Sequence, residues 1–254
     1  MIVRGHRELM RRYEELKPGD IFIGLVGDKV LRQSLLIDCL QRGIRCYPSA
    51  LAQTLHHFKT AQAWILGRWM LPLTCVISRR SELLALVSAY GEAGIGAVVT
   101  KQDHMHCGHG VRKWESADIL YNLAGFSEDA FPFVMQPFLS SFTDIRVVIA
   151  GDYREAYVRS NPDSFRKNLS AGGKSTTHTL TAEQTEFCRQ VMARGGFSYA
   201  HIDLHVTEDG RIYLSEITLN GGLKGAKISR DELDRRKQSI LESLAAGEGG
   251  ELSC

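Results

Sequence analysis

The segment SEITLNGGLKG, Ser215 to Gly225, carries a carboxylate, a hydroxyl and a carboxamide at Glu216, Thr218 and Asn220, then turns through Gly221-Gly222. Residues two apart in an extended chain share a face, so these three oxygen-bearing side chains converge at the end of a strand. Oxygen ligands of this kind suit a hard cation such as Mg²⁺. Upstream, in YAHIDLHVTEDGRIYLSEI, stands Asp203. A turn centred on Glu208-Asp209-Gly210 folds this stretch into a hairpin and brings Asp203 across the ladder from Glu216. Two carboxylates so placed repel unless a positive charge lies between them. The pair is therefore a candidate for one or two divalent ions, with solvated strand ends as the alternative.

Two further stretches have the composition to hold phosphate. In NPDSFRKNLSAGGKS (161–175) the pair Gly172-Gly173 lets backbone N–H groups face an anion, and Arg166, Lys167 and Lys174 add charge. The spacing is not that of a P-loop, so a solvated basic loop stays open as a reading. In AVVTKQDHMHCGHGV, Lys101 leaves an apolar strand and enters a loop containing Gly108 and Gly110. A lysine so placed can hold a phosphate as a point charge. His104, His106, Cys107 and His109 crowd the same loop, but their spacing suits one tetrahedral ion poorly and no distant partner pair is visible, so the default reading is a mobile loop that happens to be His-rich.

The elements that must position these groups follow from periodicity. A charged surface helix over 6–16 stops at Lys17-Pro18-Gly19, and a strand at 20–26, a helix at 30–43 and a strand at 44–48 form one β-α-β piece. A helix over about 50–66 carries Lys59. From Pro72 the order is strand, helix, strand, loop and a short helix near 115–124. FPFVMQPFL, then two hairpins with GDY and EDG turns, follow, with a helix at about 181–194 between the hairpins and a closing helix at about 229–245. The order predicts an α+β chain of two α/β lobes around a cleft, behind a short α/β lead-in.

Composition narrows the class. The 254 residues are 44% hydrophobic, enough for a buried core without disulfide staples. Thirty-one Lys and Arg stand against 29 Asp and Glu, and a net charge of +2 gives no field that argues for nucleic acid. Six scattered cysteines without a CxxC pair point to reduced thiols. A charged N-terminus without a signal peptide, and no long apolar run, lead to the expectation of a cytoplasmic protein away from membranes.

In their order, DIRVVIAGDYREAYVRS, FRKNLSAGGKS, a helix and YAHIDLHV…IYLSEITLNGGLKG resemble the ATP-grasp superfamily. The closest likeness is to the RimK-type branch of carboxylate-amine ligases, related to glutathione and D-alanine-D-alanine ligases, and it covers residues 48–245. The resemblance implies a lead-in over 1–48, an ATP-grasp domain over 49–245 with its small lobe near 70–138, and a disordered tail over 246–254. It implies that Lys59 and Lys101 contact the ATP phosphates. The linker VMQPFL, with Gln136, Pro137 and Leu139, would meet adenine; a family glutamate is replaced by Pro137, which keeps its C=O and lacks only the N–H. Asp144 would meet ribose, with Arg146 beside it as a catalytic arginine, and Arg166, also catalytic, and Asn168 would together face the triphosphate and the reacting centre. Asp203 and Glu216 would bind Mg²⁺ or Mn²⁺, with Thr218 where the family has asparagine, and Asn220 on the same face.

The implied chemistry is ATP-dependent joining of an amino acid or peptide carboxylate to an amine through an acyl phosphate. A kinase of the same fold and a non-catalytic ATP-binding module are the alternatives. The lead-in is short, which leaves the cleft open to a small molecule or a peptide tail, or to cover by a partner in a homodimer.

Overall fold

The computed structural model describes residues 1–105, 110–124, 131–162, 167 and 172–247. Three short strands, β1 (Ile2–Arg4), β2 (Ile21–Ile23) and β3 (Arg45–Tyr47), form a parallel sheet in that order, with helices α1 (Gly5–Arg11) and α2 (Arg32–Gln41) in the connections. Next come α3 (Ala50–His57) and α4 (Lys59–Ile65). The small lobe contains β4 (Cys75–Ile77), α5 (Arg80–Glu92), β5 (Val98–Gln102), β6 (Val111–Trp114), α6 (Ala117–Ala124) and β7 (Phe133–Pro137). Its four strands pair antiparallel in the order β4-β7-β5-β6.

The large lobe is an antiparallel five-stranded sheet. Its strands are β8 (Thr143–Ala150), β9 (Tyr153–Ser160), β10 (Lys174–His178), β11 (Tyr199–Val206) and β12 (Ile212–Thr218), in the order β10-β9-β8-β11-β12. Helices α7 (Ala182–Gly195) and α8 (Arg230–Ala246) complete it. Alternation decides its two faces. Ile145, Val147, Ile202, Leu204, Leu214 and Ile217 are buried in a core shared with Leu55 of α3, Val191 of α7 and Leu241 of α8. Ile21 and Ile23 of β2 join that core, so the lead-in packs on the large lobe. The small lobe has its own cluster around Leu83, Tyr90, Leu120 and Met135.

Both expected hairpins form, β8-β9 and β11-β12. Three local differences have physical causes. The helix expected over 50–66 is interrupted at Phe58, whose backbone is extended, because Asp103 accepts from Thr60 N and Thr60 Oγ1 and starts α4 afresh. The first helix is shorter than expected, ending at Arg11 before a single 3₁₀ turn, and β1 precedes it. Strand β10, KSTTH, has no apolar alternation to announce it and exists through pairing with β9.

Helix α7 begins with a capping box between Thr181 and Gln184 and ends at Gly196 with φ +66°. A left-handed residue there favours glycine. A Cβ on Gly196 would lie 2.7 Å from Ser49 Oγ, which caps α3 and donates to Gly196 O at 2.9 Å. The next residue, Phe197, is fully buried. Phe197→Ala is expected to cost about 3–5 kcal/mol, measured as a shift in the urea midpoint at unchanged slope.

Candidate active site

The polar face of the large sheet is assembled by cross-strand register. On β8, Asp144 lies opposite Arg159 of β9 and His205 of β11, while Arg146 lies opposite Tyr157 and Asp203. Asp203 in turn pairs with Glu216 of β12, and His201 with Thr218. The hairpin inferred from sequence thus has the register that brings the two carboxylates together. It contains one irregularity that alternation does not reveal: Leu204 pairs with Leu214, so Ser215 is an extra residue. This bulge sends Leu214 to the core while Glu216 and Thr218 stay on the polar face.

Burial makes charge pairing compulsory on that face. Asp203 is 8% exposed. Arg146 grips both of its oxygens through Nε and Nη2, and Arg159 Nη2 lies 3.0 Å from Oδ2. Arg159 also donates to Asp144 Oδ1 from Nη2 at 2.6 Å and from Nε at 3.1 Å. Burial pushes the Asp203 carboxyl up, but the two guanidiniums outweigh it and hold it far below the usual carboxylate range. For Asp144, burial wins against Arg159, and the carboxyl is raised to about 6.

Two lysines reach β12 from other elements. Lys59, the first residue of α4, places Nζ 3.7 Å from Glu216 Oε1 and donates to Met105 O at 2.8 Å. Lys101, from β5 of the small lobe, donates to Ser215 O at 3.0 Å. Thr60 and Asp103 link the start of α4 to the end of β5. Burial lowers the Lys101 ammonium to about 8, against the pull of Glu216. Lys59, Lys101, Arg146 and Arg159 outnumber Asp144, Asp203 and Glu216, so the face as a whole favours a polyanion.

The other expected site residues fall as follows. Gln136 is buried on β7 and Pro137 ends that strand. Leu139 lies between β7 and β8, in the connection between the two sheets. Strand β12 ends at Thr218, whose hydroxyl donates to Asn220 O, so the two-residue alternation does not extend to Asn220. The Asn220 Oδ1 instead accepts from Lys237 of α8 at 2.9 Å. Arg166 and Asn168 lie outside the described residues, as do His106, Cys107, Gly108, His109 and the tail beyond 247.

Several neighbours were not identified from sequence. Arg159 was legible, because a GDY turn at 151–153 places it opposite Asp144. His201 was also legible, two residues before Asp203 on the same face. It is 2% exposed, and neither ring nitrogen has a hydrogen-bond partner among the described residues. Burial, then the Lys237 and Arg146 charges, lower it to about 3, so the ring is neutral. Gly221 packs so tightly that a Cβ there would come within 2.8 Å of the ring and of Arg146 Nη1. The glycine loop is held by Arg230 Nη2 on Gly221 O at 2.7 Å and Lys237 Nζ on Leu219 O at 3.0 Å, contacts that sequence spacing does not disclose.

The donor set fits a hard divalent ion: two adjacent carboxylates and a hydroxyl supply oxygens. Among the described residues no group of three or more His, Cys, Asp or Glu surrounds one point. An ion here would therefore complete its shell with phosphate oxygens and water, as Mg²⁺ commonly does.

Two outcomes are expected. Arg159→Met strips Asp144 of its donor and Asp203 of one of two, and is expected to cost about 3–5 kcal/mol in denaturant unfolding. Lys101 would bind an anion in its charged form, and a bound anion would raise its pKa above about 8. ADP binding should therefore take up a proton and weaken as pH rises through 8. Calorimetry in buffers of different ionisation enthalpy reads both effects, and Lys101→Met should abolish them.

Known proteins share this fold. The family model described as RimK-like ATP-grasp domain matches residues 68–241. No curated protein matches the chain. Among solved structures, the chain is similar to the D-alanine-D-alanine ligase from Coxiella burnetii, with TM-score 0.62 at 10% identity over 90% of this chain and 70% of that one. It is similar to a Chryseobacterium gregarium RiPP-associated ATP-grasp ligase in complex with ADP and a leader and core peptide, with TM-score 0.58 at 15% identity over 91% and 77%. It is also similar to the macrocyclase MdnC bound with precursor peptide MdnA from Microcystis aeruginosa, with TM-score 0.56 at 15% identity over 91% and 79%. These likenesses concern the fold, and the family match spans well over half of the sequence. The chain belongs to the RimK-like ATP-grasp family.

Proposed function

We propose that this protein is an ATP-dependent ligase that joins the carboxylate of an amino acid or peptide to an amine. Family membership supports ATP-dependent carboxylate-amine ligation in general. The observation that carries the reading for this chain is the meeting of Lys59 and Lys101, from separate elements, on the strand that bears Glu216. Two neighbouring cations facing paired acids suit a metal-bound triphosphate.

The sheet face orders the reactants. Adenine would lie against the linker at Gln136, Pro137 and Leu139, with ribose at the Asp144 end. Asp203, Glu216 and Thr218 would hold Mg²⁺ or Mn²⁺, which when bound supplies Lewis-acid charge to the phosphate oxygens. Asn220, tied to Lys237, would take part only after leaving that contact. Lys59 and Lys101 neutralise phosphate charge, and Arg146, Arg166 and Asn168 serve the γ-phosphoryl group. Arg146 must share Asp203 with any ion, so ligand binding would draw its guanidinium toward phosphate. Beyond Asp203 the face continues to His201 and Gly221-Gly222, where the acceptor carboxylate would sit.

A carboxylate oxygen of the acceptor attacks the γ-phosphorus and ADP leaves. The amine nitrogen then attacks the acyl carbon, phosphate departs, and the nitrogen loses a proton. Prearranged charge carries such a transfer without a protein nucleophile. Peptides in two of the similar structures support a peptide acceptor, and a homodimer partner is a candidate cover for the cleft. A non-catalytic binding module is the second reading, favoured by Thr218 in the metal set and by the two arginines already on Asp203.

Incubation with ATP, hydroxylamine and a panel of amino acids and short peptides is expected to release ADP and form a hydroxamate from the true acid. Phosphorylated product without hydroxamate assigns a kinase, and nucleotide binding without ADP release assigns the binding module. Thr218→Asn is expected to lower the Mg²⁺ concentration that gives half-maximal turnover. An unchanged Mg²⁺ dependence removes residue 218 from the ligand set.

A further inference from the structure

The polar face of the large sheet ends at β12, an edge strand. An edge leaves backbone N–H and C=O groups unpaired, and on β12 one residue finds a substitute partner. Ile217 N donates to Gln62 Oε1 at 3.0 Å, and Gln62 Nε2 donates to Ile217 O at 2.9 Å. One side-chain amide thus makes both bonds that a neighbouring strand residue would make. Its second amide hydrogen goes to Leu55 O at 2.6 Å, near the interruption between α3 and α4. The side chain is buried, with the residue 1% exposed.

The placement of this clamp gives it meaning. Ile217 stands between Glu216 and Thr218. On α4, Gln62 follows Lys59 by three residues, a spacing that puts both side chains on one helix face. The same face of one helix therefore holds the backbone of Ile217 and sets an ammonium 3.7 Å from the carboxylate of Glu216. Lys59 is long and flexible, and its charge alone does not set its height over the strand.

We propose that Gln62 is a positioning residue, whose carboxamide acts as a one-residue strand on the edge of β12 and thereby registers the Lys59 ammonium with Glu216 for the metal-bound triphosphate. This rests on the nucleotide-binding reading above. The clamp itself is independent of nucleotide, which allows the two to be tested apart.

Gln62→Met keeps the length of the side chain and removes its hydrogen bonds. In the ligand-free protein, amide exchange at Ile217 is expected to rise about tenfold, the equivalent of one lost hydrogen bond. Binding of a non-hydrolysable ATP analogue with Mg²⁺ is expected to weaken about tenfold, while adenosine affinity stays unchanged. Lys59→Met weakens the same binding, and in that background Gln62→Met is expected to have almost no further effect, since both act through one ammonium. If Gln62→Met does not fold, Gln62→Glu, which keeps the acceptor for Ile217 N, is used in the same cycle. Faster Ile217 exchange with unchanged analogue affinity, or additive effects of the two substitutions, overturns the proposal while leaving nucleotide binding intact. A wild-type protein that binds neither analogue nor adenosine overturns the nucleotide reading itself, and the proposal with it.

Discussion

A buried carboxylate between two guanidiniums organises this molecule. Asp203 has almost no access to solvent, and an isolated charge there would cost several kcal/mol even after relaxation. Arg146 and Arg159 remove that cost only when β8, β9 and β11 hold one register, because each arginine comes from a different strand. A slip of one residue in any of the pairings would turn one partner to the apolar face. The network therefore constrains the sheet as much as the sheet positions the network. On the proposed function the same charges would bear on ligand binding, since a carboxylate already neutralised by arginine would yield to a metal-bound polyanion only if the ligand offered those arginines an equal anion.

Strand β12 is the second constraint. Three consecutive residues of one edge strand are touched from outside the sheet: Ser215 by Lys101, Glu216 by Lys59 and Ile217 by Gln62. The bulge at Ser215 makes this possible. It keeps Leu214 and Ile217 in the core, turns Glu216 to the polar face, and leaves the Ser215 carbonyl within reach of an ammonium from the small lobe. Contacts from the small lobe and from α4 consequently meet on one short segment. Burial lowers the affinity of Lys101 for its proton, with Glu216 pulling the other way and the charge of Lys59 adding to the lowering.

The glycine loop after β12 shows a different use of charge. Arg230 and Lys237 bind its carbonyls rather than carboxylates, which fixes the backbone while leaving Gly221 pressed against the neutral ring of His201. A side chain at 221 would collide with both the ring and Arg146. The need for glycine there arises from close approach, and its neighbour Asn220 is spent on Lys237 instead of the carboxylate pair.

Hairpin turns and alternation in the sequence determined the two large-lobe hairpins, and motifs in fixed order the likeness to the family, while the facing of Asp203 and Glu216 also needed the bulge at Ser215. The first two are local properties, set by turn chemistry and the two-residue period of a strand, or by motifs in fixed order. The same two-residue period places His201 beside Asp203 on one face of β11, and the GDY turn places Arg159 opposite Asp144. The tertiary structure alone decided that Gln62 would complete the edge of a strand 155 residues away, that Asp103 would divide α3 from α4, and that Lys237 would claim Asn220. Each joins elements distant in the chain through a polar side chain, and such contacts leave no periodic trace because their partners are chosen by the packing of whole layers.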